Sequence, residues 1–135
     1  MCAIRAIPIP LSLTEPAMPG FTPSFVNLSG QDLSGQDLRQ SYWYAARLVG
    51  ANLAGADLRE ADLSGSDLRE AKLAGADLRE ANLSYTDLRG ADLSDTDLSS
   101  TDVTEAYWDE DTVVVGVPWE LLLRMTRANR AKKPD

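Results

Sequence analysis

From Val26 to Glu110 the chain repeats one pattern every five positions: a small residue, a polar one, a large apolar one, then two that vary. The large positions run from Leu28, Leu33, Leu38 and Trp43 to Leu98, Val103 and Trp108, 17 units without insertion or deletion, and 14 of them carry Leu. Two residues earlier stands Ala, Ser or Thr in 14 of the 17, and one residue earlier Asp or Asn in 13, so three of every five positions are constrained. Neither the 3.6-residue period of a helix nor the two-residue period of a strand stays in phase with this. A chain that returns each residue type to the same environment every five positions must turn after each unit. Leu and the small residue then face inward, while the two residues after each Leu face water.

A closed coil whose side is one five-residue unit meets that requirement, and stacked coils pair their backbone groups between layers ~4.8 Å apart. Small residues are needed because a narrow tube has no room for two large layers per side. The pattern, standing as Ala56-Asp57-Leu58-Arg59-Glu60 and Ala76-Asp77-Leu78-Arg79-Glu80, resembles the pentapeptide-repeat family over residues 26–110. That resemblance implies an all-β fold, a right-handed quadrilateral β-helix with four units per coil. The repeat then makes about four coils, a rod on the order of 20 Å long.

Residues 1–25 carry Pro8, Pro10, Pro16, Pro19 and Pro23 without the five-residue phase, so they read as an irregular N-terminal segment whose Phe21 and Phe25 cover the first coil. Residues 111–135 read as a C-terminal cap with a basic tail. Within them Thr112–Val115 predicts a short strand, Gly116-Val117-Pro118 a break, and 119–128 a short helix with Pro118 near its first turn. Trp119, Leu122, Leu123 and either Met125 or Thr126 lie close to one face of that helix. It either plugs the last coil of a monomer or joins a homodimer through residues 119–130.

Composition narrows the chemistry. There is no His, the net charge is −8, and the apolar stock is mostly Leu and Ala, with two Phe, four Tyr and three Trp. Direct nucleic-acid binding is not expected of so acidic a chain, and imidazole chemistry is excluded. Cys2 has no second thiol for a disulfide or a metal, so a reducing, bacterial cytoplasmic setting is expected. The N-terminal apolar stretch is broken by two prolines and reads as no signal peptide, and no apolar run approaches the ~18 residues of a membrane span. The column Asp37, Asp57, Asp77, Asp97 invites a metal, but Asp or Asn recurs in nearly every unit, which points to turn hydrogen bonds. No cofactor, no metal and no enzymatic activity are expected.

With four units per coil, residues 20 apart stack and residues 10 apart lie on opposite sides. Arg59 and Arg79 then share one face with Arg39, Arg69 and Arg89 share the opposite one, and Glu60, Glu70 and Glu80 follow them. The other two faces carry Ala54, Ser64, Ala74, Ser84 and Ser94. One stretch departs from the pattern: Trp43 replaces Leu between Tyr42 and Tyr44, and Arg47 replaces Asp. Trp43 is either a packing plug or part of an aromatic hot spot. The candidate interaction surface is therefore Tyr42, Trp43, Tyr44, Arg59, Arg69, Arg79 and Arg89, and the expected role is a non-enzymatic scaffold that binds a protein. The alternative comes from the resemblance: some family members mimic duplex DNA and act on DNA gyrase. The repeats hold 17 acidic and seven basic residues, and their net of −10 is near the ~12 phosphate charges of a duplex of that length. Arg columns on two faces, and the lack of any inserted loop, weigh against that alternative. An ice-binding surface would need flat Thr rows, and only Thr86, Thr96, Thr101 and Thr104 cluster.

Overall fold

The computed structural model describes residues 26–132, with side chains as far as Met125. The irregular segment expected over 1–25 lies outside the described residues. Parallel bridges join each unit to the one 20 residues on, as in Asn27 to Arg47, Asp57 to Asp77 and Asp87 to Tyr107. Four units therefore close one coil, and the chain is a right-handed quadrilateral β-helix. The four sides are named here by their first central residue, Leu28, Leu33, Leu38 and Trp43.

Each corner is a four-residue turn. The Leu63 carbonyl accepts the Ser66 N–H at 3.1 Å, and the third turn residue, Gly65, has a φ of +69°. Positive φ at the third position alone is the type II pattern, which favours glycine there. Yet Gln40, Glu60, Glu70, Glu80 and Tyr85 hold the same left-handed conformation, at φ of 58° to 62°. Layer pairing and the buried Leu before each corner impose it, although it costs a non-glycine residue about 1–2 kcal/mol. The Asp or Asn before each Leu tightens the corner: the Asp62 carboxylate accepts the Ser64 N–H at 3.0 Å, and the Asn52 side chain accepts the Ala54 N–H at 3.1 Å. Turn hydrogen bonding thus employs that column.

Inside the tube, the central Leu of each unit alternates with the small residue two positions earlier. Leu33 through Leu93 are essentially inaccessible, as are Ala46, Ala51, Ala56, Ala61, Ala71 and Ala91. Where Thr replaces Ala, its hydroxyl donates to a carbonyl one layer down, Thr96 to Leu73 at 2.9 Å and Thr101 to Leu78 at 2.7 Å. A buried hydroxyl left without a partner would cost about 1–3 kcal/mol. Trp43 is also fully buried.

The five-residue phase of the sequence stops at Glu110, but the coil does not. One extra residue enters after Trp108, the bridge offset changes from 20 to 21 at Asp92 to Val113, and Thr112–Gly116 forms one more unit over residues 91–95. Where the extra residue breaks the ladder, the Gly90 N–H is met by the Asp109 carboxylate at 3.1 Å and the Thr112 hydroxyl at 3.2 Å. Val117 turns inward, Pro118 follows, and helix α1 (Trp119–Lys132) begins. Met125 is buried, with Leu121 and Leu122 packed on the core. Pro118, Leu121, Leu122 and Met125 share one helical face, so of the predicted face Leu122 and Met125 are kept while Trp119 and Leu123 are not. Approach of the chain through Val117 decides which aliphatic residues close the tube, and it leaves Trp119 and Leu123 exposed. No helix among the described residues is long and apolar enough to cross a membrane.

Candidate functional site

Residues just before and just after each central Leu both emerge on the outside of the coil, so Asp at the first and Arg at the second meet. On the Leu38 side, Arg59 grips Asp57 with two parallel bonds of 2.8 and 2.6 Å, and its Nε lies 3.7 Å from Asp77 one layer up. Arg39 and Arg79 do the same, so carboxylates and guanidinium groups alternate from Asp37 to Asp97. On the opposite, Leu28 side, Arg69 holds Asp67 and reaches Asp87, which Arg89 holds in turn. An aspartate stands between each pair of stacked arginines and offsets their mutual repulsion. Glu60 and Glu80, which the sequence placed directly behind the arginines, are not their bidentate partners; Glu60 instead accepts a 3.3 Å bond from Gln40.

These bonds set the protonation of the column. The Arg39 guanidinium lowers the Asp37 carboxyl from 3.8 to about 2. Bonds from Arg59 and Arg79 lower Asp57 and Asp77, and the Ser34, Ser94 and Ser99 hydroxyls lower Asp32, Asp92 and Asp97. A carboxyl depressed in the folded state stabilises the fold above its unfolded value of 3.8, and that contribution is lost as pH falls through the folded value. The melting temperature should therefore hold steady down to about pH 4 and fall between about pH 4 and 2. Calorimetry across that range checks it, and a flat profile to pH 2 would contradict the paired columns.

The Trp43 side is different in kind. Tyr42 and Tyr44 project from it with 37% and 50% of their surface exposed, while Trp43 between them is 0% exposed. Trp43 is thus removed from the predicted surface: it holds an inward position, and its indole N–H donates to the Ser41 hydroxyl. Tyr44 leans over Gly65, where an added Cβ would stand 3.6 Å from its ring. Tyr85, one layer further along the same corner column, is 59% exposed. Sequence reasoning missed Tyr85, although its place 20 residues after Gly65 marks it as a neighbour of that corner. Tyr42, Tyr44, Gly65 and Tyr85 thus make an aromatic face beside Ser64 and Ser84. The structure does not gather the other candidates there: Arg59 and Arg79 lie on the Leu38 side, Arg69 and Arg89 on the Leu28 side, all in ion pairs. Among the described residues no group of three or more His, Cys, Asp or Glu side chains is placed to hold a metal ion.

The family model described as pentapeptide repeats matches eight copies over residues 46–84 and 71–107. A solved pentapeptide repeat protein, Rfr23 of the cyanobacterium Cyanothece 51142, is 37% identical, with 79% of this chain and 75% of that one covered and a TM-score of 0.66. The chain belongs to the pentapeptide-repeat family. A second pentapeptide repeat protein, from Nostoc PCC 7120, is 32% identical over 76% of this chain and 77% of that one, with a TM-score of 0.44. A trypsin-treated form of QnrB1, described as a plasmid-mediated fluoroquinolone resistance protein, is 23% identical over 66% of this chain and 53% of that one, with a TM-score of 0.47. No curated protein sequence matches the chain. As members of this family are stacks of near-identical units, individuality resides in departures from the repeat, and in this chain the Trp43 side holds the most conspicuous one.

Proposed function

We propose that this pentapeptide-repeat protein is a non-catalytic scaffold whose Trp43 side docks a protein partner in the cytoplasm. The observation that carries this is the exposure of Tyr42, Tyr44 and Tyr85 on one side of the rod. Tyrosine supplies large contact area with little conformational freedom to lose, and it is enriched where interfaces carry their binding energy. The arginine columns are weaker candidates, since each guanidinium already has a carboxylate in its fork. For the same reason the duplex-mimic reading, with DNA gyrase as target, finds less support: the two columns alternate in sign where a duplex is uniformly negative. The exposed Trp119 and Leu123 of α1 fit a second copy of the chain, and light scattering separates that homodimer from a monomer.

The test is affinity capture from an extract of the source cells with three baits: the native chain, a Tyr42→Ala, Tyr44→Ala, Tyr85→Ala variant, and an Arg59→Ala, Arg79→Ala variant. The tyrosine variant should lose the proteins that the native chain retains, by tenfold or more, while the arginine variant keeps them. An identical profile from the tyrosine variant would refute the assignment.

A further inference from the structure

We propose that the aromatic Trp43 side receives an arginine-bearing segment of its partner, the guanidinium lying on the Tyr42 and Tyr44 rings and against the Asp62 carboxylate. This rests on the reading of that side as the docking face and names the chemistry it selects.

The arginine columns show what an aspartate in the second position of a unit does when a guanidinium is at hand. Asp57, Asp67, Asp77 and Asp87 each accept two bonds from the arginine two residues on, one at either carboxylate oxygen. Asp62 holds the same position on the Trp43 side, one layer on from Tyr42, to which it is bridged. Its unit has Ser64 where those have arginine, and the Ser64 N–H and hydroxyl both donate to one oxygen, Oδ1, at 3.0 and 2.6 Å. None of the ion pairs among the described residues includes Asp62. Its Oδ2 therefore stands where the other columns take a guanidinium.

The lack of a cation extends to the whole side. Its four units, 41–45, 61–65, 81–85 and 101–105, contain Asp62, Asp102 and Glu105 and no lysine or arginine. The arginines of the adjoining sides are engaged with their own carboxylates: Arg59 and Arg79 hold Asp57 and Asp77, Arg69 and Arg89 hold Asp67 and Asp87, and the charge of Arg47 bears on Asp67. Asp62 is bordered by Tyr42 in the layer before and, beyond Ser64, by the Tyr44 ring leaning over Gly65. Exposed tyrosine faces attract cations, and next to a carboxylate they favour arginine over lysine, because the planar guanidinium is weakly hydrated, stacks on rings and forks onto carboxylates.

The probe is an end-blocked peptide, Gly-Arg-Gly-Arg-Gly, titrated into the isotopically labelled full chain and followed by the backbone amide signals in NMR spectra. Its control is the same peptide with citrulline, the neutral isostere of arginine. The arginine peptide should shift the signals of residues 42–45 and 62–65 saturably, and the citrulline peptide should not. Asp62→Asn keeps the turn bond, as Asn52 and Asn82 do, and should weaken binding about threefold or more. A Tyr42→Leu, Tyr44→Leu pair should weaken it as much, while a Tyr42→Phe, Tyr44→Phe pair binds like the native chain; the same spectra show that each variant is folded. Equal binding of the citrulline peptide, indifference to Asp62→Asn or to the leucine pair, or shifts centred on the acidic last coil at residues 91–111 would each overturn the inference. If the triple tyrosine bait loses its proteins but the arginine peptide fails here, the docking face stands and only its arginine chemistry falls; a bait that keeps them overturns the docking face itself.

Discussion

Replacing Trp43 by alanine is expected to remove about 3–5 kcal/mol of stability, the usual range for deleting a buried large aromatic side chain. The indole is wholly enclosed, in one cluster with Leu38, Ala46, Leu48 and Leu63, and its N–H has a partner in the Ser41 hydroxyl, which itself donates to the Leu38 carbonyl at 2.5 Å. Truncation leaves a cavity in a tube whose walls are tied to adjacent layers and cannot collapse into it. The informative companion is Trp43→Leu, which restores the residue found at most central positions. If the indole fills space that leucine does not reach, this consensus change still costs about 2 kcal/mol. Urea titration followed by circular dichroism measures both, and a Trp43→Leu variant as stable as the native chain would show that the indole fills no such space.

How far the sequence reached can be judged at individual positions. The inward Leu and Ala columns and the turn-forming role of Asp and Asn followed from the phase, because a period of five leaves one way to sort the side chains. The direction of Trp43 did not follow, since phase placed it inside while its volume argued against the tube. The sequence allowed Arg59 to pair with either Glu or the Asp column and could not choose between them, because the choice depends on which side of the corner each residue leaves the backbone, and Glu60 sits in the left-handed turn position at a φ of +62°. The unit at Thr112–Gly116 was hidden by the extra residue near Asp109, whose carboxylate repairs the ladder locally. At Gly116 the fit is close enough that an added Cβ would stand 2.6 Å from the Asp95 carboxylate, a constraint visible only once the layers are stacked.

The candidate site was legible in part. Tyr42 and Tyr44 announced themselves by breaking the repeat, whereas Tyr85 occupies a position that varies in every unit and becomes significant only through the layer spacing. The arginines drew attention as columns, and the structure shows their charge already answered.

The whole assignment of faces rests on the phase, and Leu68→Asp tests that most directly. Leu68 is fully buried in the middle of the rod, and its N–H donates to the Asp87 carbonyl at 2.9 Å. Losing the leucine and enclosing a carboxylate together cost more than about 5 kcal/mol, which rivals the whole stability of a small domain. Because each coil contacts only its neighbours, a failed central layer separates the two halves. Arg69→Ala, one residue along and outside, is the control. Measured by urea unfolding, Leu68→Asp should show no cooperative transition while Arg69→Ala retains one; a Leu68→Asp variant that unfolds at the native urea concentration would contradict the phase and every surface derived from it.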